Sequence, residues 1–135
     1  MGLSPLCLDT SVLIAFLKGR DPGASAVERA VKTYNCHVAA ITAYELLFGV
    51  ARAGKQIGED SLLGIMTILT LDGPVARRAA NLHDDLIRRN QDIGVKDVLI
   101  AAICLHHDLP LLTLNERHFT RVQGLAVLTP SEILK

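Results

Sequence analysis

The chain has no tryptophan, and only 4 % of its 135 residues are aromatic. Half of the residues are hydrophobic, so the core must be aliphatic, built from Leu, Ile, Val and Ala. Net charge is missing as well: 14 Lys and Arg stand against 14 Asp and Glu. Overall charge therefore points to no nucleic-acid or membrane partner, although a balanced total can hide an acidic pocket on a basic face. The longest apolar runs, VLIAAICL and SVLIAFL, fall well short of the roughly 18 residues of a membrane span. No basic stretch precedes an apolar one at the N-terminus, and Asp9 interrupts the one candidate, so no secretory signal is read. Cysteine is sparse and odd in number. Cys7, Cys36 and Cys104 are widely spaced among apolar neighbours, with no C-x-x-C or Cys/His zinc spacing. They read as buried free thiols in a reducing compartment. The expectation is a soluble, cytoplasmic protein of a single domain, residues 1–135.

What is present is an alternation of short apolar strands and helices. LCLD reads as a buried strand and TSVLIAFLKG as a helix ending at Gly19. After the turn signal RDPG, Ala26, Val27, Ala30 and Val31 recur at helical spacing over residues 23–34. HVAA is a second strand, followed by a helix in ITAYELLFGVARAG. Residues 59–68 read as another helix and ILTLD as a third strand. A long helix then runs from DGP to about Asn90, with Pro74 suited to its first turn. VKDVLIAAICLHHD is the next helix, LPLLTLN holds a fourth strand, ERHF a short turn and LAVLT a fifth strand. Such alternation predicts a parallel sheet covered on both faces. In these folds ligands bind beyond the carboxyl ends of the strands, which is where Asp9 falls.

Each candidate carboxylate has two readings. Asp9 precedes a helix and fits an N-cap, a contribution of about 1 kcal/mol, or it is the first member of a site. Thr42 and Glu45 fit the S/T-x-x-E capping box. Yet the helical stripe through Glu45 continues to Gly49 and Arg52, and glycine within a helix costs roughly 1 kcal/mol relative to alanine. A bare patch there suits close approach of a packed helix or a phosphate chain. Asp97 opens the VLIAAICL helix, where the helix dipole favours a carboxylate. That helix is apolar all round and therefore central, so its mouth faces a crevice. Asn115 and Glu116 follow the fourth strand at the same edge. Asp72, ahead of Pro74, reads as a helix cap. His83, Asp84 and Asp85 lie beside Arg88 and Arg89 at spacings for i,i+4 ion pairs on a solvated face, and His106 and His107 close a helix.

Taken together, LDTSVLIAFL, ITAYELLFGV, DVLIAA and LLTLNERHF resemble the PIN-domain nucleases, most closely the VapC-like ribonuclease toxins of toxin–antitoxin pairs. The likeness covers essentially the whole chain in order. It implies a three-layer α/β/α domain with a parallel sheet of order 3-2-1-4-5, acting as a metal-dependent endoribonuclease. The acidic residues of the family map onto Asp9, Glu45 and Asp97, and its fourth acidic position falls on Asn115, a departure. Glu116 is the rival for that position. Its small hydroxyl residue matches Ser11, and its threonine before the last turn matches Thr113. The sheet order places Asp72 on an edge strand roughly 10 Å from Asp9, at about 4.8 Å per strand, too far to share an ion.

Three carboxylates within about 5 Å would repel by roughly 3 kcal/mol per pair at an effective dielectric near 20. Such a cluster needs a proton or a cation. Oxygen ligands without His or Cys select Mg²⁺ or Mn²⁺, with Asp9 and Asp97 as ligands and Glu45 as ligand or as the base that orients water. Arg52, Lys96 and Arg117 are candidates for the RNA backbone, contacts that carry no sequence information. The resemblance further implies a homodimer and an antitoxin that fills the acidic pocket with an Arg or Lys side chain. Against this stands a catalytically weak PIN domain serving as an RNA- or protein-binding scaffold, which Asn115 keeps in play. A receiver domain or haloacid-dehalogenase-type phosphatase would need a second carboxylate near Asp9, where the sequence reads D-T-S.

Overall fold

The computed structural model describes residues 2–135. Five strands form one parallel sheet in the order β3-β2-β1-β4-β5: β1 (Pro5–Leu8), β2 (Asn35–Ala39), β3 (Thr67–Leu69), β4 (Leu111–Leu112) and β5 (Val127–Leu128). Each neighbouring pair is parallel. The helices are α1 (Thr10–Leu17), α2 (Gly23–Thr33), α3 (Ala40–Ala53), α4 (Glu59–Gly64), α5 (Gly73–Arg88), α6 (Val95–His106), α7 (Glu116–Phe119) and α8 (Pro130–Ile133).

The period of two in β1 divides the core. Leu6 and Leu8 join Val12, Leu13, Val27, Val38 and Leu46 in one aliphatic cluster, beneath α1, α2 and α3. Cys7 points the other way, into a cluster with Val75, Leu86, Ile100, Ile103 and Phe119 under α5 and α6. The result is the expected three-layer α/β/α arrangement, with a parallel sheet buried on both faces. Helix α6 is central, as its composition predicts: Val98 and residues 100 to 104 are all buried. All three cysteines are buried free thiols. Among the described residues, no helix is long and apolar enough to cross a membrane.

Several boundaries differ from the sequence expectation. The fourth helix stops at Gly64 rather than residue 68, and β3 pairs through Thr67–Leu69, leaving Leu71 exposed. As the edge strand, β3 needs a partner on one side only, so it starts where the pairing with His37–Ala39 begins. The β4 pairing is confined to Leu111 and Leu112, with the Thr113 N–H adding one last bond to the Leu128 carbonyl of β5. A C-terminal helix, α8, was not expected. It opens with a capping box formed by Thr129 and Glu132, with Pro130 in its first turn.

Connections from β1 lead to β2 on one side, while β4 lies on the other. The order therefore reverses between β1 and β4, and a crevice forms outside their carboxyl ends. The site described next lies at this reversal.

Candidate active site

Asp9 follows β1 directly, and its backbone N–H donates to the Leu112 carbonyl across the β1–β4 pair (2.9 Å). It holds the N-cap position of α1, yet its side chain makes no capping bond. The cap reading therefore fails for its carboxylate. Instead, Oδ2 accepts from the Thr113 hydroxyl (2.7 Å) and the Ser11 hydroxyl (2.8 Å). Those hydroxyls are oriented by the turn after β4: Ser11 Oγ accepts from the Leu114 N–H (3.0 Å) and Thr113 Oγ1 from the Asn115 N–H (2.8 Å). Each spends its lone pair on a backbone donor and its proton on Asp9.

Asp9 is 4 % exposed. Burial pushes its carboxyl above the usual range, the two hydroxyl bonds pull it back, and the charge of Asp97 raises it further. Only one other carboxylate is so deeply buried among the described residues, that of Glu59. It accepts the backbone N–H of Ile57 (2.9 Å) and serves its own loop. Asp9 is held chiefly by the two hydroxyls.

Glu45 is not part of a capping box. Helix α3 starts at Ala40 with Ala39 as its N-cap, so Thr42 is already inside the helix. Glu45 Oε1 accepts instead from the hydroxyl of Thr10 (2.7 Å), which also lies 3.1 Å from Thr42 Oγ1. Its other oxygen lies 3.5 Å from Lys96 Nζ. Asp97 sits in the first turn of α6, where its Oδ2 is 2.8 Å from His118 Nδ1 and 3.5 Å from Asn115 Nδ2. Asn115 is thus beside Asp97, bonded as a neutral amide. Glu116 is exposed, with no side-chain hydrogen bond or ion pair.

The expected tight cluster of three carboxylates is looser than supposed. Among the described residues, no three His, Cys, Asp or Glu side chains converge as a metal cage. The reason lies in the partners: Glu45 is held by Thr10 and Lys96, Asp97 by His118, and Asp9 by two hydroxyls. Asp9 still senses the charge of Asp97, and both are hard oxygen donors at one crevice. That donor chemistry fits a hard divalent cation.

Gly49 does not mark a close helix contact: a methyl there would meet nothing within 4 Å. It opens on a groove of about 230 Å³ between α1 and α3, lined by Ile14, Leu17, Leu46 and Val50, with Glu45 at the rim. Lys18 and Lys55 line that groove, whereas Arg52 does not. Arg52 and Arg117 are both exposed. Two contributors escaped the sequence reading, His118 and Thr10. The spacing of Asn115 and His118, one helical turn apart in NERH, was the available signal for the first. For Thr10, position beside Asp9 was the only one.

Asp72 behaves as expected, its Oδ1 accepting from the Val75 N–H (3.0 Å) to cap α5. Arg88 pairs with Asp84 and Arg89 with Asp85. His83 departs from the solvated-face expectation and bonds Asp92 Oδ1 (2.9 Å), because the turn after α5 folds back on it.

The model of the PIN domain matches residues 6–125. The chain belongs to the PIN-domain family. Among curated PIN-domain relatives, ribonuclease VapC1 of Rickettsia felis is 32 % identical over 133 residues, spanning 93 % of this chain and 96 % of the relative. VapBC2 of Rickettsia felis, solved bound to a promoter DNA fragment, superposes with a TM-score of 0.77 at 24 % identity, over 93 % of this chain and 98 % of that one; this likeness is one of fold. VapBC-5 of Mycobacterium tuberculosis, a member of the VapBC family of toxin–antitoxin systems, superposes with a TM-score of 0.64 at 25 % identity, covering 93 % and 97 % of the two chains. The sheet order implied by the resemblance to PIN domains, 3-2-1-4-5, is the one observed.

Proposed function

We propose that residues 1–135 form a single PIN domain that hydrolyses RNA phosphodiester bonds as the toxin of a toxin–antitoxin pair, in the cytoplasm and with Mg²⁺ or Mn²⁺. The observation that carries the reading is Asp9: a carboxylate buried at the sheet's switch point, its Oδ2 held by two hydroxyls, and facing the charge of Asp97. The ribonuclease and toxin–antitoxin names of the relatives supply the substrate class and the setting.

Asp9 and Asp97 would hold the cation, with Glu45 and the amide of Asn115 at its margin. When bound there, a divalent cation supplies positive charge to a phosphate oxygen and to the leaving oxygen. Ser11 and Thr113 fix the orientation of Asp9 and favour its ionised form by donating to Oδ2, against the opposing effect of burial. Glu45, on the α3 side of the crevice, orients the attacking water and takes its proton. Lys96, Arg52 and Arg117 attract the backbone phosphates and half-buried Ser11 lines the approach, whereas Thr113 is fully buried and acts through Asp9. The groove beside Glu45 suits an antitoxin segment whose Arg or Lys reaches that carboxylate. Exposed Tyr44, Leu47 and Phe48 on α3 suit a second copy, Tyr44 and Phe48 being stacked at 5.8 Å between ring centroids.

Neutral Asn115 and the absence of a preformed cage among the described residues support one rival, a PIN domain that binds RNA without cutting it. Incubation with a mixed RNA panel separates the two. The proposal expects cleavage with Mn²⁺ or Mg²⁺ that chelator abolishes and Asp97→Asn removes. Binding without cleavage, with either ion, supports the rival and overturns the proposal.

A further inference from the structure

We infer that His118 is a positioning residue for Asp97, and that the turn carrying it sets both aspartates of the crevice at once. The inference rests on the proposed reading of Asp9 and Asp97 as cation-holding carboxylates and deepens it.

The geometry starts with one contact. Asp97 Oδ2 lies 2.8 Å from His118 Nδ1. An ionised carboxylate can only accept, so a bond of this length requires the proton on Nδ1. The other tautomer would press two acceptors together. Asn115 Nδ2 is 2.9 Å from the same Nδ1 and 3.5 Å from the same Oδ2. With the Nδ1 proton given to Asp97, turning the amide so that Asn115 Oδ1 faces the ring removes the donor–donor contact, at the expense of the long 3.5 Å bond from Asn115 Nδ2 to Asp97. Asn115 is the N-cap of α7 and His118 lies three residues on, so both reach one face of that short helix.

The same turn holds Asp9. Thr113, which ends β4, donates to Asp9 Oδ2, and its hydroxyl is oriented by the backbone N–H of Asn115. Residues 113 to 118 thereby grip Oδ2 of each aspartate, Asp9 through Thr113 and Asp97 through His118. The second oxygen of each, Oδ1, has no side-chain donor, and no buried side-chain oxygen among the described residues lacks a partner. Neither Oδ1 is therefore both buried and unpartnered, and neither is tied to another side chain. Partners that hold the far oxygen of a ligating carboxylate fix its orientation, and their loss typically weakens metal binding by about 10- to 100-fold.

The test uses Mn²⁺ and Mg²⁺ separately, titrated calorimetrically into the full chain. His118→Ala should weaken both ions by about 10-fold or more, with a normal melting transition in chelator. His118→Asn should restore most of that affinity, because its amide nitrogen stands where Nδ1 stood. His118→Gln should not, because its nitrogen falls near Nε2. Nitrogen NMR of the metal-free wild type should show His118 as the Nδ1–H form, and Asp97→Asn should remove that preference. Wild-type affinity in the alanine variant overturns the inference, as does rescue by Gln rather than Asn. A loss confined to Mn²⁺ also overturns it, since that pattern marks His118 as a ligand itself. Failure of the wild type to bind either ion overturns the underlying site reading, and a wild-type Nδ1–H signal would then leave His118 a purely structural contact.

Discussion

Two aspartates stand at strand-to-helix junctions, Asp9 between β1 and α1 and Asp72 shortly after β3 and before α5. In sequence they present the same signature, an apolar run, an aspartate and a helix. Asp72 lies beyond the edge strand and accepts the Val75 N–H as a helix cap. Asp9 lies at the centre of the sheet, leaves its helix uncapped, and gives both lone-pair sites of Oδ2 to hydroxyls. Position in the sheet makes the difference. At the edge, a carboxylate meets solvent and its own helix. At the switch point, it is buried against β4, and a hydroxyl from its own helix and one from 104 residues away share its Oδ2.

The comparison can be broken most forcefully at Asp9 itself. Asp9→Asn should cut RNA cleavage by on the order of 100-fold or more, at least the cost of losing a supporting partner of a metal ligand. It should raise the metal-free melting temperature, since burial disfavours the charge that is removed. The pH dependence has the same sign. The folded-state carboxyl of Asp9 sits above its unfolded value, so its contribution to stability is fully present below the unfolded pKa and is lost as pH rises through the folded one. Melting of the metal-free protein should show that decline across the acidic range, and Asp9→Asn should flatten it.

Thr113→Val comes next. It removes a proton donor from Asp9 and an acceptor from the Asn115 N–H in a site that is fully buried. Denaturant unfolding should show a loss of about 1–3 kcal/mol. Without that bond the Asp9 carboxyl should titrate still higher, moving the acid limb of the cleavage profile upward. Asp72→Ala should cost about 1 kcal/mol as a lost cap and leave cleavage per folded molecule unchanged. Smallest of all, Asp84→Ala breaks an exposed i,i+4 pair with Arg88 and should shift stability by no more than about 0.5 kcal/mol.

The fold was legible because its signals are local. Alternating apolar runs gave the layers, while the strand order came from the resemblance to the PIN-domain family. Local patterns misled where the same pattern has two uses. S/T-x-x-E occurs at Thr42–Glu45 and at Thr129–Glu132, and only the second is a capping box. Pro130 stops a helix from starting earlier there, whereas Ala40 and Ile41 let α3 begin two residues ahead of Thr42. The partners of the carboxylates were illegible for another reason. Thr10 and Glu45 are 35 residues apart, and His118 and Asp97 are 21 apart. Only the folded sheet brings them together, so the sequence displays the acids without the groups that separate and orient them.

The central claim is that Asp9 and Asp97 hold one ion between them. A double-mutant cycle in Mn²⁺ affinity, using Asp9→Asn, Asp97→Asn and the pair, tests it most directly. Shared coordination predicts strong non-additivity: either substitution alone removes most of the binding, and the second adds little. Losses that simply add, each aspartate contributing the same factor whether or not the other is present, would contradict the account.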